Sequence, residues 1–203
     1  MEAYNLFFKR EAPFTPRHLI FEVDERLDHQ GDVVRPFDDA QARAVARNIA
    51  AQKVEAVAIC FLHSYVNPAH ERRMAEIVRA EMQGVYVTIS SEVLREYREY
   101  ERTSTTAINS YVGPRVSKYL GDLDTILSGN GFNGRLLIMQ SNGGVMSPEV
   151  AKKLPVAMME SGPVGGVIAA AEVGKALGYP NVIAFDMGGT TAKTTAIRNG
   201  TPE

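Results

Sequence analysis

Val-Ile-Ala-Phe-Asp-Met-Gly-Gly-Thr-Thr-Ala-Lys-Thr-Thr, residues 182–195, passes from four apolar residues through an aspartate and a double glycine into a run of hydroxyls. Val182 to Phe185 predict a buried strand, which puts Asp186 at its carboxyl end, the place where ligands collect in α/β folds. Gly188 and Gly189 predict a turn with φ > 0 that brings bare N–H groups up to an anion, where a Cβ would obstruct the approach. Thr190 and Thr191 are placed to donate hydroxyls to phosphate oxygens as the chain turns back. Asp186 is placed to hold a hydrated Mg²⁺ beside those phosphates. A plain Gly-Gly hairpin turn is the competing reading, and the apolar strand ahead of the turn favours the phosphate hairpin.

Upstream, Glu160-Ser-Gly-Pro-Val-Gly-Gly leads into a small-residue segment ending at Gly178. Ser161 predicts the N-cap of a helix that feeds strand 182–185. The outline approaches a dinucleotide-binding βαβ unit, but Gly162, Gly165 and Gly166 give G-x-x-G-G instead of G-x-G-x-x-G. Close helix packing is the simpler use of these residues. Glu160 is a candidate base, or a carboxylate favoured by a helix N-terminus. Further back, strand 135–140 ends in Ser141-Asn142-Gly143-Gly144, a second Gly-Gly turn whose Ser141 and Asn142 are candidates to line a nucleotide or substrate cleft.

In the first half, 19–24 reads as a strand, followed by a helix from Asp38 or Asp39 to Ala51 and a strand over 54–62. A helix opens at Pro68 and ends at Gly84, and a strand covers 85–89. This alternation predicts an α/β sheet. Residues 90–128 predict one or two long helices, whose Glu/Arg-rich start reads as a solvated, ion-paired face.

The 22 basic and 24 acidic residues of the 203 leave a formal charge of −2 without a basic block, which argues against nucleic acid as a partner. Cys60 is the single cysteine. It lies in an apolar run that predicts a buried, inert strand thiol, and the absence of a disulfide framework fits a cytoplasmic protein. No apolar run approaches the ~18 residues of a spanning helix, so no membrane partner is expected. His18, His29, His63 and His70 show no metal spacing.

Five stretches carry a resemblance: Arg17–Arg26, Arg95–Thr106, Ile138–Gly144, Glu160–Gly166 and Phe185–Thr191. In this order they resemble the hydantoinase A/5-oxoprolinase family, ATP-dependent enzymes on the actin-like (ribonuclease H-like) ATPase fold. The resemblance implies an internal fragment that lacks the first phosphate loop, since no Gly-Gly precedes Gly143, and that is inactive by itself. It implies that residues 1–90 are the end of the family's N-terminal domain. Residues 91–203 would then open the hydantoinase/oxoprolinase domain, with Asp186, Gly188, Gly189 and Thr190 in the second phosphate loop and the helix from Gly162 on the hinge side.

ATP and Mg²⁺ are the implied cofactors, and a hydantoinase B-like second subunit is the implied partner. The implied chemistry transfers the γ-phosphate to the carbonyl oxygen of a cyclic amide, hydantoin or 5-oxoproline-like, so that resonance no longer protects the C–N bond. A ketone carboxylase subunit is the nearest alternative, and a non-catalytic scaffold section is a reading of another class. Lys193 stands where many relatives carry an acid.

Overall fold

The computed structural model describes residues 5, 7 and 12–203 and divides the chain into two compact units, Met1–Ser110 and Tyr111–Glu203.

In the first unit, β1 (Arg26–Leu27) and β2 (Val33–Arg35) form a small antiparallel ladder. Helix α1 (Asp39–Ala51) starts where the sequence puts it, because the Asp38 carboxylate accepts from the Ala40 and Gln41 N–H groups and satisfies two orphan donors. Strand β3 (Ala56–Ile59), helix α2 (Ala69–Glu81) and strand β4 (Tyr86–Ile89) follow, with β3 and β4 parallel and in register from Ala56↔Tyr86 to Ile59↔Ile89. The core is Ala42, Ala46 and Ile49 of α1 packed with Val57, Ile59, Met74, Ile77, Val78 and Ile89. Arg73 clasps α2 to α1 through both oxygens of Asp39, and its guanidinium holds that carboxyl below its ordinary value.

The expected strand 19–24 is absent. Residues 17–19 form a single 3-10 turn and 20–25 run without a ladder. Phe21 and Val23 still pack on the core, as the alternation requires, but the Asp24 N–H donates to the Gln41 side chain at 2.7 Å instead of to a neighbouring strand. Cys60 also departs from expectation. It follows the last residue of β3, is only half-buried, and its Sγ lies 3.0 Å from the Thr103 hydroxyl.

After the short α3 (Ser90–Val93), the 31-residue α4 (Glu99–Gly129) carries the chain into the second unit. Its charged start is not uniformly solvated. Arg95 to Glu101 are exposed, but Arg102 is fully buried. It is held by Glu71, which is also fully buried, with a shortest Nη1···Oε1 distance of 3.7 Å. Arg102 also donates to the Phe61 carbonyl at 2.8 Å and to the hydroxyls of Ser64 and Ser90. Glu71 accepts from the Phe61 and Ser91 N–H groups and the Ser90 hydroxyl. The pair thereby ties together the chain leaving β3 and the chain leaving β4. Desolvation makes such a buried guanidinium tenable only with partners of this number.

In the second unit, β5 (Ile138–Met139) and β6 (Val145–Met146) form a hairpin over Ser141–Gly144. Helix α5 (Pro148–Lys153) is capped by Ser147 with proline at its first position. Leu120 of α4, Met146 and Ala151 form a local core. Helix α6 (Ser161–Ala176) then precedes the antiparallel sheet β7 (Val182–Met187), β8 (Ala192–Arg198) and β9 (Thr201–Pro202). Strand β7 is covered on one face only: Ile183, Phe185 and Met187 are 73%, 63% and 71% exposed. The expectation of a fully buried strand fails because β7 pairs in a hairpin with α6 against its other face, on which Val182 and Ala184 are half-buried. Among the described residues no helix is long and apolar enough to cross a membrane.

Candidate functional site

Glycine and alanine recur every fourth residue along α6, at Gly162, Gly166, Ala170 and Gly174, and i, i+4 spacing puts them on one helical stripe. At Gly174 the sheet is so close that a Cβ would stand 2.8 Å from the Tyr179 carbonyl and 3.3 Å from Val182. At Gly166 and Gly162 a Cβ would meet nothing within 4 Å. Helix and hairpin therefore diverge from a tight base at Gly174 and Val182, and the wedge between them is a cleft of about 360 Å³ lined by Gly162, Gly166, Ala170, Asp186, Lys193 and Thr195 among others.

Asp186 stands on the α6-facing side of β7, directly across the ladder from Lys193 of β8. The Lys193 ammonium donates to the Glu160 carboxylate. Three charges thus gather at one site: Asp186 and Lys193 line the cleft, and Glu160 joins them through the ion pair. Glu160 lies just ahead of α6 with φ of 62°, in the left-handed region. This corrects the expected cap. Ser161 is the first helical residue, not the N-cap, and no side chain caps the helix. The helix starts one residue earlier than expected, and Ser141 grips the chain that enters it, its N–H donating to the Ala157 carbonyl at 2.7 Å and its hydroxyl lying against the Ala157 and Met159 carbonyls.

Gly188 to Thr191 form the hairpin tip, closed by Gly188 N–H donating to the Thr191 carbonyl at 2.9 Å. Neither Gly188 nor Gly189 takes the predicted positive φ; the four-residue tip closes without it. What the glycines provide is bareness, since a Cβ at Gly189 would meet nothing within 4 Å and one at Gly188 only the Thr191 carbonyl at 4.0 Å. Positive φ occurs instead at Gly143, φ of 88°, where a Cβ would also approach Ile168 of α6 to 3.0 Å. Asn142 accepts from Gly144 N–H at 2.9 Å, so its side-chain oxygen closes its own turn. Ser141 and Asn142 therefore shape the backbone beside α6, whereas Asp186, Lys193 and Glu160 come together. Lys193 was legible in the sequence only as a departure from relatives; Thr195 and Ala170 carried no signal.

The residues present suit the implied ligands. A phosphate requires unobstructed backbone N–H donors, and the tip leaves Gly189 clear. Among the described residues no group of three or more His, Cys, Asp or Glu side chains could hold a metal ion. Mg²⁺ is commonly bound by one or two carboxylates completed by phosphates and water, a role that fits Asp186.

A parallel β-α-β unit, followed by a helix backed onto an aspartate-bearing, glycine-tipped hairpin, places this chain in the α/β class with the actin-like ATPase fold. Residues 102–203 match the hydantoinase/oxoprolinase family and residues 1–82 match its N-terminal region; the chain belongs to that family. It is 44% identical over 98% of its length to an uncharacterised protein of Methanocaldococcus jannaschii, of which it covers 29%. It is 36% identical over 97% of its length to the caprolactamase subunit alpha of Pseudomonas jessenii, covering 28% of that protein. The crystal structure of that organism's ATP-dependent caprolactamase superposes with a TM-score of 0.81 at 35% identity, over 95% of this chain and 28% of the other. The nucleotide-free structure of acetone carboxylase, an enzyme of ATP-dependent acetone carboxylation, superposes with a TM-score of 0.85 at 34% identity, over 95% of this chain and 27% of the other. The chain thus spans under a third of the length of these relatives.

Proposed function

We propose that this chain carries a phosphate-binding hairpin of an ATP-dependent enzyme that opens a cyclic amide of the hydantoin, 5-oxoproline or caprolactam type. The observation that carries the reading is Asp186 at the mouth of the α6–β7 cleft, facing Lys193 and followed by an unobstructed Gly-Gly tip, in a member of the hydantoinase/oxoprolinase family. When bound, ATP supplies a phosphoryl group that activates the amide oxygen. Asp186 would be the residue that holds Mg²⁺, completed by phosphates and water. Backbone N–H groups at Gly189 and Thr190, beyond the Gly188 N–H that closes the tip, and the Lys193 ammonium neutralise phosphate charge, a positioning and electrostatic role. Ser141 acts at one remove, by fixing the backbone ahead of α6, and Asn142 by closing its own turn. A second subunit completes the enzyme, as the name of the caprolactamase relative suggests.

The similarity to acetone carboxylase favours one second reading, phosphate-driven carboxylation of a ketone. Phosphate release by the full-length gene product with Mg·ATP separates the two. Release stimulated by caprolactam, hydantoin or 5-oxoproline without bicarbonate is the expected result. Release only with acetone or acetophenone plus bicarbonate moves the protein to carboxylation, and stimulation by neither class contradicts both.

A further inference from the structure

We propose that the Lys193–Glu160 ion pair is a latch that nucleotide opens: terminal phosphates take the Lys193 ammonium from Glu160, releasing a free carboxylate at the cleft mouth. This rests on the hairpin reading above and adds a regulated contact to it. Lys193 shares its face of the sheet with Asp186, and the two are direct cross-strand partners. The ammonium therefore already lies at the metal and phosphate end of the cleft, yet its charge is spent on Glu160.

The pair is built to be exchanged. The Lys193 and Glu160 side chains are 40% and 69% exposed, and an ion pair in that much solvent holds weakly. A triphosphate with several negative charges and strong acceptor oxygens outcompetes one solvated carboxylate for an ammonium. Glu160 is also the residue least supported where it stands. It occupies the left-handed region, which costs a residue with a Cβ, and it makes no side-chain cap to α6. Losing Lys193 removes the contact that holds its side chain across the cleft mouth. Because Ser141 pins the Ala157 and Met159 carbonyls immediately before it, any rearrangement is confined to Glu160 and the first turn of α6. In the empty state the carboxylate screens the lysine from other anions; in the loaded state it is free to act as a base near the substrate.

The test is Mg·ATP affinity of the full-length gene product by titration calorimetry, for wild type, Glu160→Gln, Lys193→Ala and the double variant. Removing a solvated competitor is expected to tighten binding about three-fold in Glu160→Gln. Losing a charged donor to phosphate is expected to weaken it about ten-fold or more in Lys193→Ala. The double variant is expected to match Lys193→Ala, because Glu160 acts on nucleotide only through that lysine. Weaker binding in Glu160→Gln, additive effects in the double variant, or unchanged affinity in Lys193→Ala overturns the latch. In each of those cases wild-type binding still supports the hairpin; wild type that binds no Mg·ATP overturns the hairpin reading and the latch with it.

Discussion

Gly189 separates a structural glycine from a functional one. Its φ lies outside the left-handed region and a Cβ there touches nothing, so Gly189→Ala is expected to change unfolding free energy by no more than about 0.5 kcal/mol. In the proposed phosphate hairpin the same methyl group would stand where a phosphate approaches bare N–H groups, and Mg·ATP affinity is expected to fall by about an order of magnitude. Urea denaturation and calorimetry on one sample measure both. A large stability loss would return the glycine to an ordinary turn. Arg102 is the opposite kind of residue. Its removal leaves Glu71 buried and charged, so Arg102→Ala is expected to cost about 3–5 kcal/mol, read as a lower urea midpoint. A variant as stable as wild type would show that the pair does not hold the β3 and β4 loops together. Nothing in Arg-Glu-Tyr-Arg-Glu-Tyr-Glu-Arg distinguishes Arg102 from its exposed neighbours, because its burial is decided by Glu71, thirty-one positions earlier.

Among elements, α6 concentrates the relation between sequence and site. Its glycines read as close packing, and that is true at Gly174 but not at Gly162 or Gly166, where the helix stands off and leaves a cleft. Alanine is the better helix former by up to about 1 kcal/mol. Gly166→Ala is therefore expected to raise stability, whereas Gly174→Ala drives a methyl group into the Tyr179 carbonyl and lowers it. Thermal melts of the two variants should move in opposite directions, and movement in the same direction would contradict the wedge geometry. The elements themselves were largely legible. Asp38, Pro68 and the β3-α2-β4 alternation announced their boundaries through local capping and periodicity, whereas α5 and its Ser147 cap were not anticipated. What the sequence hid was pairing: residues 20–25 alternate like a strand but find side chains instead of a ladder, and the apolar β7 exposes the face that α6 does not cover. Both depend on which neighbour is present, which periodicity does not encode.

For the whole molecule, membership of the hydantoinase/oxoprolinase family and close superposition on a caprolactamase and an acetone carboxylase define the scaffold, and those two relatives carry different reactions in their names on that same scaffold. The site was partly legible: Asp-x-Gly-Gly-Thr marked the hairpin and Glu160 was singled out, but their meeting through Lys193 is a property of the folded unit. The proposed function and the Lys193–Glu160 latch both require the Asp186 hairpin to bind the phosphates of Mg·ATP. The most direct test is calorimetric titration of Mg·ATP into the full-length gene product and its Asp186→Ala variant, with circular dichroism confirming equal folding. Saturable binding by wild type is expected, lost or weakened at least about a hundred-fold in the variant; equal affinity in two equally folded proteins would show that the hairpin does not bind the phosphates.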